Sequence, residues 1–203
     1  MNKQFEVIFE DHRMELLRLE CDPYGTNAYI LNCKKGCLSV LIDAPGNAPT
    51  LLEKLKATQV EYLLITHGHM DHVLALEELY TALGSPILAA HQGDSAMLAI
   101  EPNRFLNDGE IVQCGEIELE VIHTPGHTAG GLCFKIDHLL IAGDTIFPGG
   151  PGRTADPQSF KQVLTSIQNK ILSLPDDTVI LPGHGDGSTV GRERAAVEAF
   201  ISA

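Results

Sequence analysis

The sequence predicts an α/β protein of two similar halves, each a block of strands followed by helix, strand and helix, with the two sheets packed against each other. Three observations carry this. Short apolar or alternating runs crowd residues 5–43 and again 110–142, helical periodicity follows each block, and 44% hydrophobic content over 203 residues is ample for a core.

In the first half Phe5 to Phe9, Met14 to Leu19, Thr26 to Leu31 and Cys37 to Asp43 read as strands, parted by Asp-His, Asp-Pro-Tyr-Gly and Lys-Lys-Gly turns. Pro49 to Lys56 switches to helical period. The apolar run Val60 to Ile65 reads as a buried strand, and His72 to Leu83 as a helix with Asp71 as its N-cap. Pro86 to Ala90 is expected to be a strand, Gly93 to Leu98 a short helix and Glu101 to Gly109 an exposed loop. In the second half, strands are expected at Ile111 to Gln113, Ile117 to His123, Gly131 to Ile136 and Leu139 to Ala142. Helix Pro157 to Leu172, strand Thr178 to Leu181 and helix Ser188 to Ile201, with Ser188 as N-cap, complete the pattern.

No linker or low-complexity segment interrupts the chain, so one domain spanning 1–203 is expected. No run of eighteen apolar residues occurs, and Met1 to Glu6 lacks the basic-then-apolar pattern of a secretion signal; the reading is a cytoplasmic protein without a membrane partner. Five cysteines, an odd number, form neither a disulfide framework nor a metal-finger spacing and read as reduced core thiols. Cys33 and Cys37 flank a turn across which they could meet. A net charge of -13, with lysine and arginine scattered singly, offers no basic face and excludes nucleic acid as a partner. Oligomeric state has no signature here.

The chemistry concentrates in Thr66-His67-Gly68-His69-Met70-Asp71-His72, directly after the strand Val60 to Ile65. In a chain that stays extended, His67, His69 and Asp71 face one side, while His72, at the start of the helix, points elsewhere, so one segment can serve two metals. Cys-x-x-Cys pairs and paired histidines four apart on one helix, the marks of zinc fingers and helical zinc proteases, are both missing. Neutral imidazoles with carboxylate suit zinc, iron or manganese. Three further polar residues stand beside glycine at predicted strand ends: Thr124-Pro125-Gly126-His127-Thr128, Ala142-Gly143-Asp144-Thr145 and Leu181-Pro182-Gly183-His184-Gly185.

Together these residues resemble the metallo-β-lactamase superfamily: an early strand-end Asp, His-x-His-x-Asp-His, then separate His, Asp and His, matched by Asp43, His67, His69, Asp71, His72, His127, Asp144 and His184 over about residues 25–190. The resemblance implies an αββα four-layer sandwich. It also implies that His67, His69 and His127 hold one divalent ion and Asp71, His72 and His184 a second, with Asp144 bridging and Asp43 orienting a ligand. Zinc is the first choice, with iron or manganese as alternatives.

Thr-Pro-Gly-His-Thr and Gly-Asp-Thr-x-Phe place the chain nearest the glyoxalase II-like hydrolases, and aspartate rather than cysteine at position 144 separates it from most true β-lactamases. The C-terminal helical domain by which two-domain glyoxalase II enzymes bind glutathione has no counterpart after His184, and their glutathione-binding Lys and Tyr correspond to Arg153 and Ala155. The implied reaction is hydrolysis of a small anionic thioester by a water shared between the metals, with Asp71 and Asp144 as the catalytic carboxylates. A thiolate leaves without a strong general acid.

Alternatives are a persulfide dioxygenase with one iron held by His67, His127 and Asp144, suggested by Gly152-Arg153-Thr154-Ala155-Asp156; a lactonase with Tyr24 as proton donor; and a non-catalytic metal-binding module. Arg153 either binds the substrate anion or pairs with Asp156. Ile146 to Pro151 is a candidate substrate rim, and His123 a candidate support for the ligand turn. His12, His91 and His138 read as solvated turn residues. Arg192 and Arg194 read as a solvated helix face or as ion-pair partners of Glu193 or of neighbours of Glu198.

Overall fold

A computed structural model describes residues 4–202; Met1-Asn2-Lys3, part of the segment read for a secretion signal, lies outside the described residues. Two sheets stack face to face with helices on both outer surfaces, giving the expected αββα sandwich. The first has seven strands in sequence order: β1 (Glu6–Glu10), β2 (Met14–Cys21), β3 (Thr26–Cys33), β4 (Leu38–Ile42), β5 (Gln59–Leu64), β6 (Ile87–Ala90) and β7 (Arg104–Phe105). The second contains β8 (Ile111–Cys114), β9 (Ile117–His123), β10 (Leu132–Ile136) and β11 (Leu139–Gly143). A small hairpin of β12 (Ile146–Phe147) and β13 (Gly150–Pro151) follows, and β14 (Val179–Pro182) and β15 (Ser188–Thr189) complete the second sheet in the order β15-β14-β11-β10-β9-β8.

The layers follow from two-residue alternation along the strands. Met14, Leu16, Tyr29, Leu31, Val40 and Ile42 of the first sheet meet Leu119, Val121, Phe134, Ile136 and Ile141 of the second. The alternate residues Leu17, Leu19, Ile30 and Leu41 turn outward beneath α1 (Ala48–Leu55) and α3 (Leu76–Ala82). On the opposite side Ile122, Leu140 and Ile180 pack under α4 (Pro157–Ser166) and α5 (Val190–Ser202). Sheets apolar on both faces cannot stay stable without both helical layers. Among the described residues no helix is long and apolar enough to cross a membrane.

Several local expectations change. The helix predicted over 72–83 is two pieces, α2 (Met70–Val73) and α3. The segment after β4 explains the break: Ala44 N donates to His72 O and Ala75 N donates to Ala44 O, occupying two backbone groups that a continuous helix would pair internally. The N-cap of α2 is His69, not Asp71, which lies inside the first turn. Ser188 sits in β15 and bonds Glu193, while Arg192 N reaches Thr189 Oγ1 at 3.4 Å, so the capping role passes to Thr189. The expected loop 101–109 contributes β7 to the sheet edge, and α4 ends in one π-helical turn, Ile167–Ile171. No disulfide joins the cysteines among the described residues; Cys33 is buried and Cys37 exposed, since Cys33 pairs in register with Leu38 across the turn.

Candidate metal centre

Asp43, Thr66, His127, Asp144 and His184 lie just beyond the ends of β4, β5, β9, β11 and β14. Those ends meet at one rim of the sandwich, and bonds between the sheets hold them there. Leu132 N donates to Thr66 O at 2.8 Å, and Asn27 N donates to Gly183 O at 2.7 Å while its side-chain amide donates to Pro182 O and Gly185 O at 3.0 Å each.

Three donor groups result, each drawn from separate segments: His67, His69 and His127; His67, His72 and Asp144; and Asp71, His72 and His184, with the atoms of each group within 4.8 Å of one another. The expectation that Asp71 shares a side with His67 and His69 fails, because the chain turns helical at Met70 and carries Asp71 round toward His184, 3.1 Å from its Nε2. His67 Nε2 and His127 Nε2 stand 3.2 Å apart. Two imidazoles bound to one tetrahedral ion at about 2.05 Å would place their nitrogens about 3.3 Å apart, so the spacing fits a shared cation.

A second sign is chemical. His72 Nε2 and Asp144 Oδ1 are buried without any hydrogen-bond partner, 3.3 Å apart. Buried polar atoms are rarely left so, and a cation between them would satisfy both.

The titration behaviour of the cluster agrees. Burial, reinforced by the surrounding imidazoles, holds His67 well below the ordinary histidine range, and burial lowers His69 as well, so both are neutral and free to donate a lone pair. At His72 burial opposes protonation, but Asp43 and Asp144 outweigh it and push the pKa up to about 10. Burial alone would raise the Asp144 carboxyl, whereas His72, 3.3 Å away, and the charges of His127 and His184 hold it below its usual range. The two carboxylates thus collect a proton on His72 that a cation would displace.

Supporting contacts orient the donors. Asp43, 1% exposed, accepts from His72 Nδ1 at 2.7 Å, from Thr66 N at 2.8 Å and from Thr66 Oγ1 at 2.8 Å. The first bond leaves Nε2 of His72 facing Asp144. His127 Nδ1 donates to the backbone oxygen of Arg153 at 2.6 Å. Gly183 admits the whole arrangement: a Cβ there would lie 2.2 Å from Asp144 Oδ1 and 2.6 Å from His72 Cε1.

The remaining sequence candidates fall unevenly. The exposed Arg153 side chain has no ion pair among the described residues; Asp156, its expected partner, instead caps α4 through Gln158 N and Ser159 N. Tyr24 is 51% exposed on the turn before β3 and has no hydrogen bond to the cluster. Ile146 to Pro151 forms the small hairpin beside Asp144, and the buried Glu193 accepts Gly149 N at 2.6 Å, tying that hairpin to α5. Arg194 pairs with Asp176 at 2.6 Å rather than with Glu193 or the neighbours of Glu198, because Asp176 precedes β14 on the side α5 covers. His91 is not simply solvated: its ring stacks on His123 at 3.9 Å between centroids, and His123 Nε2 meets Ala129 O at 3.0 Å, supporting the His127 turn. Sequence reasoning missed Thr66, Glu193 and Asp94, whose roles depend on partners distant along the chain.

Comparison with known proteins agrees with this geometry. The chain is 33% identical over 179 residues to hydroxyacylglutathione hydrolase GloC of Haemophilus influenzae, covering 77% of this chain and 84% of that protein. Among solved structures it superposes on the BLEG-1 B3 metallo-beta-lactamase with a TM-score of 0.80 at 27% identity, covering 89% of this chain and 96% of the other. It superposes on TTHA1623 in a di-iron-bound form with a TM-score of 0.74 at 30% identity, covering 88% and 97%. The sequence pattern of the Metallo-beta-lactamase superfamily matches residues 21–184, a span that begins at the end of β2 and closes on His184. Fold, donor cluster and sequence match agree: the chain belongs to the metallo-beta-lactamase superfamily.

Proposed function

We propose that the chain is a metal-dependent hydrolase of small anionic thioesters, akin to hydroxyacylglutathione hydrolases. In this reading His67, His69 and His127 would hold one divalent ion and Asp71, His72 and His184 a second, with Asp144 as a further donor. The observation that carries it is the pair of buried, unpartnered atoms His72 Nε2 and Asp144 Oδ1 at the junction of the three donor groups. The relationship to the Haemophilus influenzae hydrolase supports the thioester.

Bound cations would supply an activated water and polarise the substrate carbonyl. The chain's own groups do the rest. Asp43 and the Arg153 carbonyl fix the rings of His72 and His127. Thr66 is the only side-chain hydroxyl among the described residues that hydrogen-bonds a member of the donor groups, and it is committed to Asp43 and His67 Nδ1. No side-chain hydroxyl bonded to the donor groups among the described residues is therefore free to protonate a poor leaving group, which favours a thiolate over an amine. The Arg153 guanidinium, which pairs with no carboxylate among the described residues and stands beside the His127 support, is the proposed contact for the substrate anion.

The test is a panel of thioester, lactone, persulfide and matched amide substrates, run with metal analysis of the purified protein. Thioester turnover that chelation abolishes and zinc, iron or manganese restores is expected. Persulfide oxidation with a single iron, or lactone hydrolysis alone, would replace this reading.

A further inference from the structure

We propose that Asp94 is a positioning residue that sets the distance between the two loops supplying His67, His69 and His127. Asp94 lies in the short 3-10 helix Gln92–Met97, outside both ligand loops and absent from the donor groups, yet it is 1% exposed. Its Oδ2 accepts Gly68 N at 3.0 Å, the amide between His67 and His69. Its Oδ1 accepts Gly130 N at 2.7 Å, three residues beyond His127. One carboxylate therefore pins both loops, and no lysine or arginine among the described residues pairs with it.

The loops are shaped to receive it. A Cβ at Gly130 would lie 2.7 Å from Asp94 Cγ, and one at Gly68 would lie 2.7 Å from Met97 Cβ in the same short helix. The flanks are fixed as well: His91 Nδ1 accepts Gly93 N at 3.0 Å, the Asp94 neighbour, and the stacked His123 holds Ala129 through its carbonyl. The consequence is selective. Asp71, His72 and His184 make no bond to Asp94, so its loss should loosen the first donor group and leave the second intact.

The inference rests on the metal assignment above, but its readout is ion affinity, so a failure of thioester hydrolysis leaves it standing. The isosteric Asp94→Asn keeps one acceptor and turns an amide donor toward the other backbone N–H; Asp94→Ala removes both acceptors. Metal-free protein of each variant is titrated with zinc against a competing chelator, unfolded in denaturant, and crystallised with limiting zinc to read the occupancy of each site by anomalous diffraction. Affinity at His67, His69 and His127 should fall about 10- to 100-fold, more in Asp94→Ala than in Asp94→Asn, with the other site unchanged. Equal weakening of both sites overturns the proposal, as does lost stability with unchanged affinity. So does an Asp94→Asn protein that fails to fold, since Asp94 would then be a requirement of the fold, and a parent protein with no ion at these three histidines removes the metal reading itself.

Discussion

Replacing Asp43 by asparagine tests how the rim is assembled. Asp43 receives three hydrogen bonds at 2.7–2.8 Å and is 1% exposed, so no water can substitute for a lost partner. Its φ of 63° is one that asparagine tolerates, so Asp43→Asn changes the chemistry without backbone strain. The amide has one acceptor oxygen where the carboxylate has two. If its nitrogen takes the place of Oδ1, the buried Thr66 N–H loses its partner at a cost of about 1–3 kcal/mol. If it takes the place of Oδ2, His72 must move its proton to Nε2, the atom aimed at Asp144, and can no longer donate a lone pair there. In the first case urea unfolding of the metal-free variant should show a loss of about 1–3 kcal/mol. Alternatively, competitive zinc titration should show a 10- to 100-fold weaker site at Asp71, His72 and His184, which is about 1.4–2.8 kcal/mol. A variant with stability and both affinities unchanged would refute the reasoning, because the three bonds would then carry nothing.

Further outcomes follow from the same geometry. Gly183→Ala places a methyl group 2.2 Å from Asp144 Oδ1 and should abolish uptake of the second ion, checked by metal content after reconstitution. Phe134→Ala, opening a hole between the sheets where the side chain is fully buried, should cost about 3–5 kcal/mol in denaturant unfolding. Arg153→Ala should raise KM for a carboxylate-bearing thioester by a factor equivalent to about 1.5–3 kcal/mol, with kcat and the KM of an uncharged analogue little changed. The backbone carbonyl that His127 uses survives that substitution, so a fall in metal content would show that the side chain matters structurally. Thioesters should be hydrolysed faster than amides of the same acyl group, and equal kcat/KM values would reveal an unrecognised proton donor.

The sandwich and most of the candidate donors are legible along the chain, because both are written in short-range patterns. Alternation at Tyr29-Ile30-Leu31 and helical spacing at Pro49 to Lys56 name the faces of their elements, and His67 to His72 stands out as four potential ligands at the end of one apolar strand. Glycine beside His127, Asp144 and His184 marks the turns that bring backbone close to an ion. How those candidates group depends on packing between segments. Asp71 leaves the company of His67 because the chain turns helical at Met70, and Ala44, 27 residues earlier and beyond another strand's end, then ends that turn by taking His72 O and Ala75 N. Asp94, Thr66 with Asp43, and Glu193 with Gly149 were silent for the same reason: each answers a backbone or hydroxyl group brought near by sheet packing, and periodicity along one segment carries no record of a partner on another.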